Sequence, residues 1–196
     1  MKEIKIKVTG ISPMLQSCDR LADPLDAETI AYKKLTSIRG KAKTTDIILE
    51  IAKKQYINSV YYSSASGVHI PSINVKKTME EGAKLSRNGD KIRKGVMIFD
   101  AELPLEYGEK LTPLELWNSG QYLDKRSVVV GQAKVMCYRP KFAEWSFVVD
   151  VVYDESIIEG NQIVEFLAAA GQYVGLGGFR PAKNGMFGRF NAEEIS

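Results

Sequence analysis

Cysteine and histidine are scarce in this sequence of 196 residues. The two cysteines, Cys18 and Cys137, are too few for a disulfide framework and lack the spacing of a metal site. We expect both to be free thiols, as in proteins of a reducing compartment. A Walker loop, a zinc motif and a nucleophile elbow are also absent, so the sequence predicts neither a cofactor nor a bound metal.

The sequence also contains no long apolar run. Its first residues, Met1-Lys2-Glu3-Ile4-Lys5, lack the apolar core of a signal peptide, and no stretch is long enough to span a bilayer. Apolar residues make up 44% of the chain and charged residues 26%, as in soluble globular proteins. These absences predict a cytoplasmic protein that has no membrane partner.

Positive charge is modest in total, at +3, but it is placed unevenly along the chain. One group of cations lies in a stretch without acids between Glu28 and Asp46, a second surrounds the lone Asp90, and a third lies near the C-terminus. Charged stretches are usually solvated surface, but three clusters in loop-like segments favour nucleic-acid binding. The groups are Lys33, Lys34, Arg39, Lys41 and Lys43; Lys84, Arg87, Lys91, Arg93 and Lys94; and Arg180, Lys183 and Arg189.

Residues 171–190 combine six glycines with aromatic residues and three cations, and they contain no acid. Glycine permits positive φ angles and close backbone approach, and bared backbone amides can form a concave anion site. Arg180, Lys183 and Arg189 supply the charge that a phosphate would meet. The stretch therefore predicts phosphate or nucleic-acid binding. The alternative is a glycine-rich connection between a helix and the last strand.

The hydrophobic pattern predicts both strands and helices. Residues 2–9 alternate as a half-buried strand does, and residues 158–170 form a strongly apolar helix that Gly171 should end. Residues 84–94 are expected to be a connection, and 106–126 a loop with a helical turn at Thr112-Pro113. Three further helices are predicted: one from an N-cap at Asp26 to residue 35, one from residue 45 or 46 to 56, and one over 72–83. Further strands are predicted over 59–62, 96–105, 127–138, 144–153 and 186–191. Arg139–Phe142 is expected to close a hairpin between the strands at 127–138 and 144–153.

This order of elements predicts an α+β fold. Without a long inserted region at about 63–126, it is β-α-β-β-α-β, the ferredoxin-like or RRM-like arrangement. We therefore expect a single domain, residues 1–196, built on an antiparallel sheet with helices on one face. The other face of such a sheet is left open.

Two sets of residues resemble a known family. The opening strand with Thr9-Gly10-Ile11-Ser12-Pro13-Met14-Leu15, and the glycine-rich segments 175–181 and 185–190, resemble a family of uncharacterised bacteriophage and prophage proteins. That family is similar to the RAMP superfamily, the RRM-related subunits of CRISPR effectors that bind or process crRNA. RAMP proteins carry a glycine-rich loop before their last strand, where Gly175-Leu176-Gly177 and Gly185-Met186-Phe187-Gly188 stand here.

The resemblance implies a protein of phage type that acts in a bacterial host cell and binds single-stranded RNA or DNA. It also implies a homo-oligomer or a subunit of a nucleoprotein complex, assembling side by side along the strand. Because bases stack on exposed rings, Phe179, Phe187, Tyr138, Phe142 and Tyr173 are candidate stacking residues. The expected nucleic-acid-binding residues are Gly175, Gly177, Phe179, Arg180, Lys183, Gly185, Phe187, Gly188, Arg189, Arg39, Lys41, Lys43, Lys91, Arg93, Lys94 and Arg139.

Two other functions stay open at this stage. One is a phage assembly or anti-defence protein whose basic loops meet an acidic protein. The other is a metal-independent endoribonuclease that uses His69, with Tyr61 or Tyr62 as its partner. A lone histidine before a proline is more often a strand residue, so His69 is a weak catalytic candidate. The two tryptophans, Trp117 and Trp145, are expected in the core or an interface.

Overall fold

The structure is a computed structural model that describes residues 1–195, with Val130 described by its backbone alone. In chain order, the strands are β1 (Lys2–Gly10), β2 (Met14–Leu15), β3 (Tyr62–Ser63), β4 (Gly67–Pro71), β5 (Val96–Met97), β6 (Glu102–Pro104), β7 (Leu123–Val130), β8 (Ala133–Phe142), β9 (Ser146–Tyr153) and β10 (Phe190–Ile195). The helices are α1 (Ala27–Ser37), α2 (Thr45–Ile57), α3 (Ser72–Lys84), α4 (Gly89–Gly95), α5 (Pro113–Ser119) and α6 (Gly160–Tyr173). The chain is thus an α+β protein with antiparallel sheets, as predicted.

These elements form two compact units. Unit 1 contains Met1–Leu15, Ser63–Lys110 and the segment from Phe142 onward, and unit 2 contains Gln16–Tyr62 and Leu111–Lys141. The expected insertion at about 63–126 does not coincide with either unit, because residues 63–110 belong to unit 1 and the rest to unit 2. Whether the chain works as a single domain stays a prediction.

Unit 1 is built on a four-stranded antiparallel sheet in the order β10-β1-β9-β5. Alternation in β1 buries Ile4, Ile6 and Val8 on one face, as the sequence predicts. Helices α3 and α6 pack against each other, and α6 also contacts β10. Trp145 lies in this core as expected, 3% exposed, and its ring N–H donates to the Ser12 carbonyl at 2.9 Å.

The end of α6 differs from the prediction. Gly171 was expected to end this helix, but the helix continues to Tyr173, and Gly175, with a φ of 74°, follows its C-cap. Gly171 is instead needed for packing, since a Cβ there would lie 2.0 Å from the Phe190 carbonyl oxygen of β10. The predicted closing strand is likewise displaced, and β10 starts at Phe190.

Unit 2 consists of three helices and most of the β7–β8 hairpin. The predicted cap at Asp26 is confirmed, because its side chain accepts from the amides of Glu28 and Thr29. Helix α5 starts at Pro113 as predicted, and Thr112 forms a capping box with Glu115. Helix α2 was expected to be capped by Thr45 or Asp46, but its N-cap is Thr44. Helix α2 is fixed to the hairpin because Gln55 Oε1 accepts from the Tyr138 amide at 3.0 Å.

Several predicted boundaries in the middle of the chain are wrong. The strand expected over 127–138 is interrupted by a turn at Gly131, whose φ is 62°, so β7 and β8 pair as a hairpin. Arg139–Phe142, expected to close a hairpin, lies within β8. Helix α4 occupies the expected connection at 84–94, and the strand expected over 96–105 is divided into β5 and β6.

No helix within residues 1–195 is long and apolar enough to cross a membrane.

Candidate nucleic-acid interface

The glycine loop, residues 174–189 of unit 1, is closely packed. Gly175, Gly177 and Gly188 have φ angles of 74°, 77° and 70°, which side chains rarely adopt. A Cβ at Gly188 would lie 1.8 Å from the Leu176 carbonyl oxygen, and one at Gly185 would lie 1.8 Å from that of Phe179. The glycines therefore allow two stretches of backbone to meet.

The amides of the glycine loop are largely used inside the protein. Gly175 donates to the Ala170 carbonyl at 2.8 Å, Gly185 to that of Arg180 at 3.0 Å, and Gly188 to that of Pro13 at 2.8 Å. These N–H groups are not turned toward a ligand. The predicted role of Gly175, Gly185 and Gly188 in holding a phosphate is therefore not supported by their amides, because these three N–H groups already donate within the protein.

The three cations of the glycine loop differ in exposure, since Lys183 is exposed while Arg180 and Arg189 are half-buried. Arg180 donates to the Gly177 carbonyl at 3.0 Å, the guanidinium of Arg189 donates to the Gln172 carbonyl, and Lys183 is exposed. Among residues 1–195, no carboxylate forms an ion pair with any of them. Arg180 Nε is also buried without a hydrogen-bond partner in that range.

The candidate stacking residues divide by exposure. Phe142 and Phe187 are buried, so a base has no access to their rings. Phe179 is 42% exposed and Tyr173 62% exposed. Phe179 also has a φ of 49°, an uncommon backbone state for a bulky residue, and its ring lies 6.2 Å from that of Phe187. Tyr138 is half-buried.

The cations of α4 are partly neutralised. Arg93 lies 2.6 Å from Asp90 and Lys94 lies 3.9 Å from it, at the helical spacings i,i+3 and i,i+4. Lys91 is half-buried. The three predicted residues of this segment are thus weaker candidates for phosphate contact than the unpaired cations elsewhere.

The basic segment of unit 2, residues 33–43, is exposed at every cation. Arg39 donates to the carbonyls of Thr36 and Ile38, which lie at the C-terminal end of α1. Lys41 and Lys43 lie beyond it, and no acid occurs between Glu28 and Asp46. Within the described residues, none of the cations in this segment forms an ion pair with a carboxylate.

A second acid-free stretch in unit 2, residues 125–141, was missed by the sequence analysis apart from Arg139. It follows Asp124, which holds Arg126 at 2.6 Å, and no acid occurs before Glu144. Lys125 and Lys134 are exposed, and Arg139 is half-buried. The absence of acids in this stretch can be read from the sequence, but the stretch was interpreted only as strands, on the alternation of its apolar residues.

These stretches give the two units different charges. Unit 2 contains 13 lysines and arginines against eight aspartates and glutamates, a net charge of +5. Unit 1 contains 14 against 16, a net charge of −2. The modest total of +3 therefore hides a basic unit 2.

His69 lies in unit 1 and is buried, 7% exposed. Its Nδ1 lies 3.1 Å from the Gly67 carbonyl oxygen, and its Nε2 lies 3.8 Å from Glu102. Glu102 accepts from the Ser63 hydroxyl at 2.6 Å. The hydroxyls of Ser63 and Ser66, and then His69, lower the pKa of Glu102. Sequence reasoning missed Glu102, which lies on β6 opposite β4.

The thiols are free, as predicted. Cys137 is buried, and burial raises the pKa of the half-buried Cys18. Within residues 1–195, no group of three or more His, Cys, Asp or Glu side chains is arranged to hold a metal ion. The raised pKa makes Cys18 a weaker nucleophile at neutral pH than an ordinary cysteine.

Comparison with known proteins assigns no family. No family model matches the chain, and no curated protein matches it either. The resemblance to phage and RAMP proteins therefore stays an expectation.

Proposed function

We propose that the protein binds single-stranded nucleic acid without cleaving it, mainly through unit 2. The observation that carries the proposal is the charge of +5 on this unit, together with the exposed cations of 33–43 and the exposed Lys125 and Lys134, which form no ion pair with a carboxylate among the described residues. A phosphate chain that replaces condensed counterions by lysine and arginine gains affinity whatever its sequence. The glycine loop of unit 1, with Arg180, Lys183 and Arg189, is a predicted second contact.

The proposed fold of unit 1 is ferredoxin-like, as the RAMP resemblance implies. The strands of its sheet, with α6 packed on β10 and α3 packed on α6, follow in the order β1-α3-β5-β9-α6-β10, which is β-α-β-β-α-β. The first helix and second strand of this order, α3 and β5, lie in the expected insertion at about 63–126 and not at 45–62, where the sequence predicts them. RRM domains stack bases on aromatic residues of the sheet. The outward positions of β1, β9 and β10 instead include Lys5, Lys7 and Asp150, and no aromatic residue of the described strands lies there.

Side-by-side assembly along the strand is the part of the proposal that comes from the resemblance to phage and RAMP proteins. It is tested by light scattering on complexes with oligonucleotides of increasing length. We expect the mass to rise by whole protomers. A complex that keeps one protomer on strands of every length would contradict assembly and leave binding in place.

The direct test of binding is a gel shift of the full chain with end-labelled, mixed-sequence single-stranded DNA and RNA. We expect a retarded band for at least one of the two, and full-length strand on recovery. Shortened strand that persists in the wild type and disappears in His69→Ala would support the ribonuclease instead. Absence of any shift at low salt would contradict nucleic-acid binding.

A second candidate function is an assembly or anti-defence protein of phage type. The observation in its favour is the exposed apolar hairpin of β7 and β8, where Val129 is 67% exposed, Val135 42% and Met136 46%. Such side chains suit a protein contact better than a phosphate contact. If no oligonucleotide binds, Val129→Lys and Val135→Lys variants would test this alternative by abolishing any self-association of the wild type.

A further inference from the structure

Unit 2 contains a groove of about 320 Å³ between α2, α5 and the β7–β8 hairpin. Its walls include Ile48 and Leu49, which are 47% and 58% exposed, together with Trp117, Leu123, Lys125 and Tyr138. Binding pockets for small molecules start at about 300 Å³. The groove is therefore large enough for a flat group such as one base.

Aromatic rings form one side of the groove. Trp117 lies between Tyr56, at a centroid distance of 5.4 Å, and Tyr138, at 6.4 Å. The Tyr56 hydroxyl donates to the Tyr122 carbonyl at 3.0 Å, and the Tyr138 amide donates to Gln55. The first bond fixes the Tyr56 ring and the second fixes the backbone of β8 at Tyr138, so this side of the groove is partly ordered before any ligand arrives, which reduces the entropy lost on binding.

The charge around the groove is positive. No carboxylate lines it, and the neighbouring Asp124 is held by Arg126. Lys125 Nζ lies 5.7 Å from the centre of the Tyr138 ring and its side chain is exposed. Lys41 and Lys43 precede the first turn of α2, which also lines the groove. The ligand that fits both the rings and the cations is anionic and carries a flat apolar group.

We propose that this groove holds one base of a bound single strand against Trp117, with an adjacent phosphate at Lys125. The inference rests on the proposed function, because it assigns a place on unit 2 to one nucleotide of the strand. Stacking on an aromatic side chain is tolerant of base identity. The groove would therefore contribute affinity without fixing a sequence.

Tryptophan fluorescence tests the groove directly, because Trp117 is half-buried there while Trp145 is buried in unit 1. The probe is an oligothymidylate of about 15 nucleotides, within the range that nucleic-acid grooves span. We expect it to quench the emission of the wild type. We expect Trp117→Phe to lose the quenching and to bind more weakly, because the smaller ring stacks over less area, and we expect Trp117→Ala to bind about 5-fold to 150-fold more weakly.

Two further variants test the groove independently, in case Trp117→Phe binds weakly because of a folding defect. Leu49→Ala changes an exposed wall residue, and Ile73→Ala changes a residue of unit 1 that is 74% exposed. We expect Leu49→Ala to weaken binding and Ile73→Ala to leave it unchanged, with both retaining the circular dichroism of the wild type. Equal affinities for the two variants would overturn the inference.

The possible results of these experiments distinguish a failure of the groove proposal from a failure of the proposed function. Binding of the oligothymidylate without quenching, and with unchanged affinity in Trp117→Phe, overturns the groove and leaves nucleic-acid binding in place. Absence of binding overturns both. Quenching by polyglutamate but not by the oligothymidylate would assign the groove to an acidic protein and overturn the inference. Photocrosslinking of a bromouracil-substituted strand to peptides containing Trp117 or Tyr138 would support it.

Discussion

Gly188 shows how a glycine can be required by its neighbours rather than by a ligand. Its φ is 70°, its amide donates to the Pro13 carbonyl, and its α-carbon faces the Leu176 carbonyl oxygen. Gly67 has a similar φ of 65° in the same unit, but no atom lies within 4 Å of the position that a Cβ would take. Comparing alanine substitutions at the two glycines therefore distinguishes the cost of backbone strain from the cost of steric overlap.

We predict that Gly188→Ala lowers the free energy of unfolding by about 3 kcal/mol or more, because strain and overlap both act. Gly67→Ala is the matched control, and we expect it to lose about 1 to 2 kcal/mol from strain alone. Urea denaturation followed by circular dichroism measures both values. Equal losses would show that the glycine loop is less tightly packed than described.

Glu102 gives unit 1 a pH dependence. Because the Ser63 hydroxyl lowers its pKa, the ionised carboxylate stabilises the fold above the pKa of the unfolded chain, which is about 4.3. This contribution is lost as the pH falls through the lower, folded-state pKa. We predict that Ser63→Ala raises the pKa of Glu102, and that its melting temperature approaches that of the wild type as the medium is acidified.

Carbon NMR of the Glu102 carboxyl during a pH titration measures that pKa change. Ser64→Ala is the control, since Ser64 is exposed and adjacent. A titration of Glu102 that is identical in Ser63→Ala and in the wild type would contradict the account of this cluster.

At single positions, the sequence predicts local chemistry but not distant partners. The cap at Asp26 and the start of α5 at Thr112-Pro113 could be predicted because their hydrogen bonds close within three residues. The role of Gly171 could not, because its requirement comes from the Phe190 carbonyl, 19 residues further along the chain. The glycine loop was predicted as a feature, but the internal use of its amides depends on partners such as Pro13.

Among the elements, the basic segment 33–43 and α4 have similar composition but different surroundings. In α4, Asp90 lies one turn from Arg93 and Lys94 and neutralises them in part. In the basic segment, Asp46 follows Lys43 by three residues, but among the described residues neither Lys41 nor Lys43 forms an ion pair with a carboxylate. Ion pairing within an element therefore decides which clusters can attract a polyanion.

We predict that replacing Lys41 and Lys43 together by glutamine weakens single-strand binding and makes the salt dependence less steep. Each lost phosphate contact of a single strand changes the slope of log affinity against log salt by about 0.7, so two lysines change it by about 1.4. The measurement is fluorescence anisotropy with a labelled oligonucleotide.

The control replaces Lys2 and Lys77 by glutamine, which removes the same charge from lysines that already pair with Glu155 and Glu80. We expect this pair of changes to leave the slope nearly unchanged. A similar effect of both double variants would mean that net charge, rather than the basic segment, determines binding.

Strands and helices with a strong hydrophobic periodicity were predicted well. The two strands that are separated only by a turn at one glycine were not. The alternation of β1 and the apolar run of α6 identify both elements. In residues 127–138, β-branched residues on both sides of Gly131 looked like one strand, and only the pairing of Val128 with Val135 shows two. The pairing is a tertiary contact that alternation cannot show.

For the whole molecule, the α+β class was predictable, but the order of elements in the middle of the chain and the division into units were not. The α+β class follows from the succession of strands and helices. Unit 2 is assembled from two segments separated by residues 63–110, so its net charge is invisible to a scan along the chain. The groove at Trp117 could not be predicted for the same reason, because α2 and α5, which line it, come from different segments of the chain.

The central claim is that unpaired cations of unit 2 hold a single-stranded phosphate chain. The most direct measurement is the affinity of the full chain for a labelled, mixed-sequence single strand, by anisotropy, between about 50 and 200 mM salt. If Lys41, Lys43, Lys125, Lys134 and Arg139 each contact a phosphate, the slope of log affinity against log salt is about −3.5, and affinity falls about 100-fold over this range. Binding that does not change with salt, or no binding at the lowest salt, would contradict the claim.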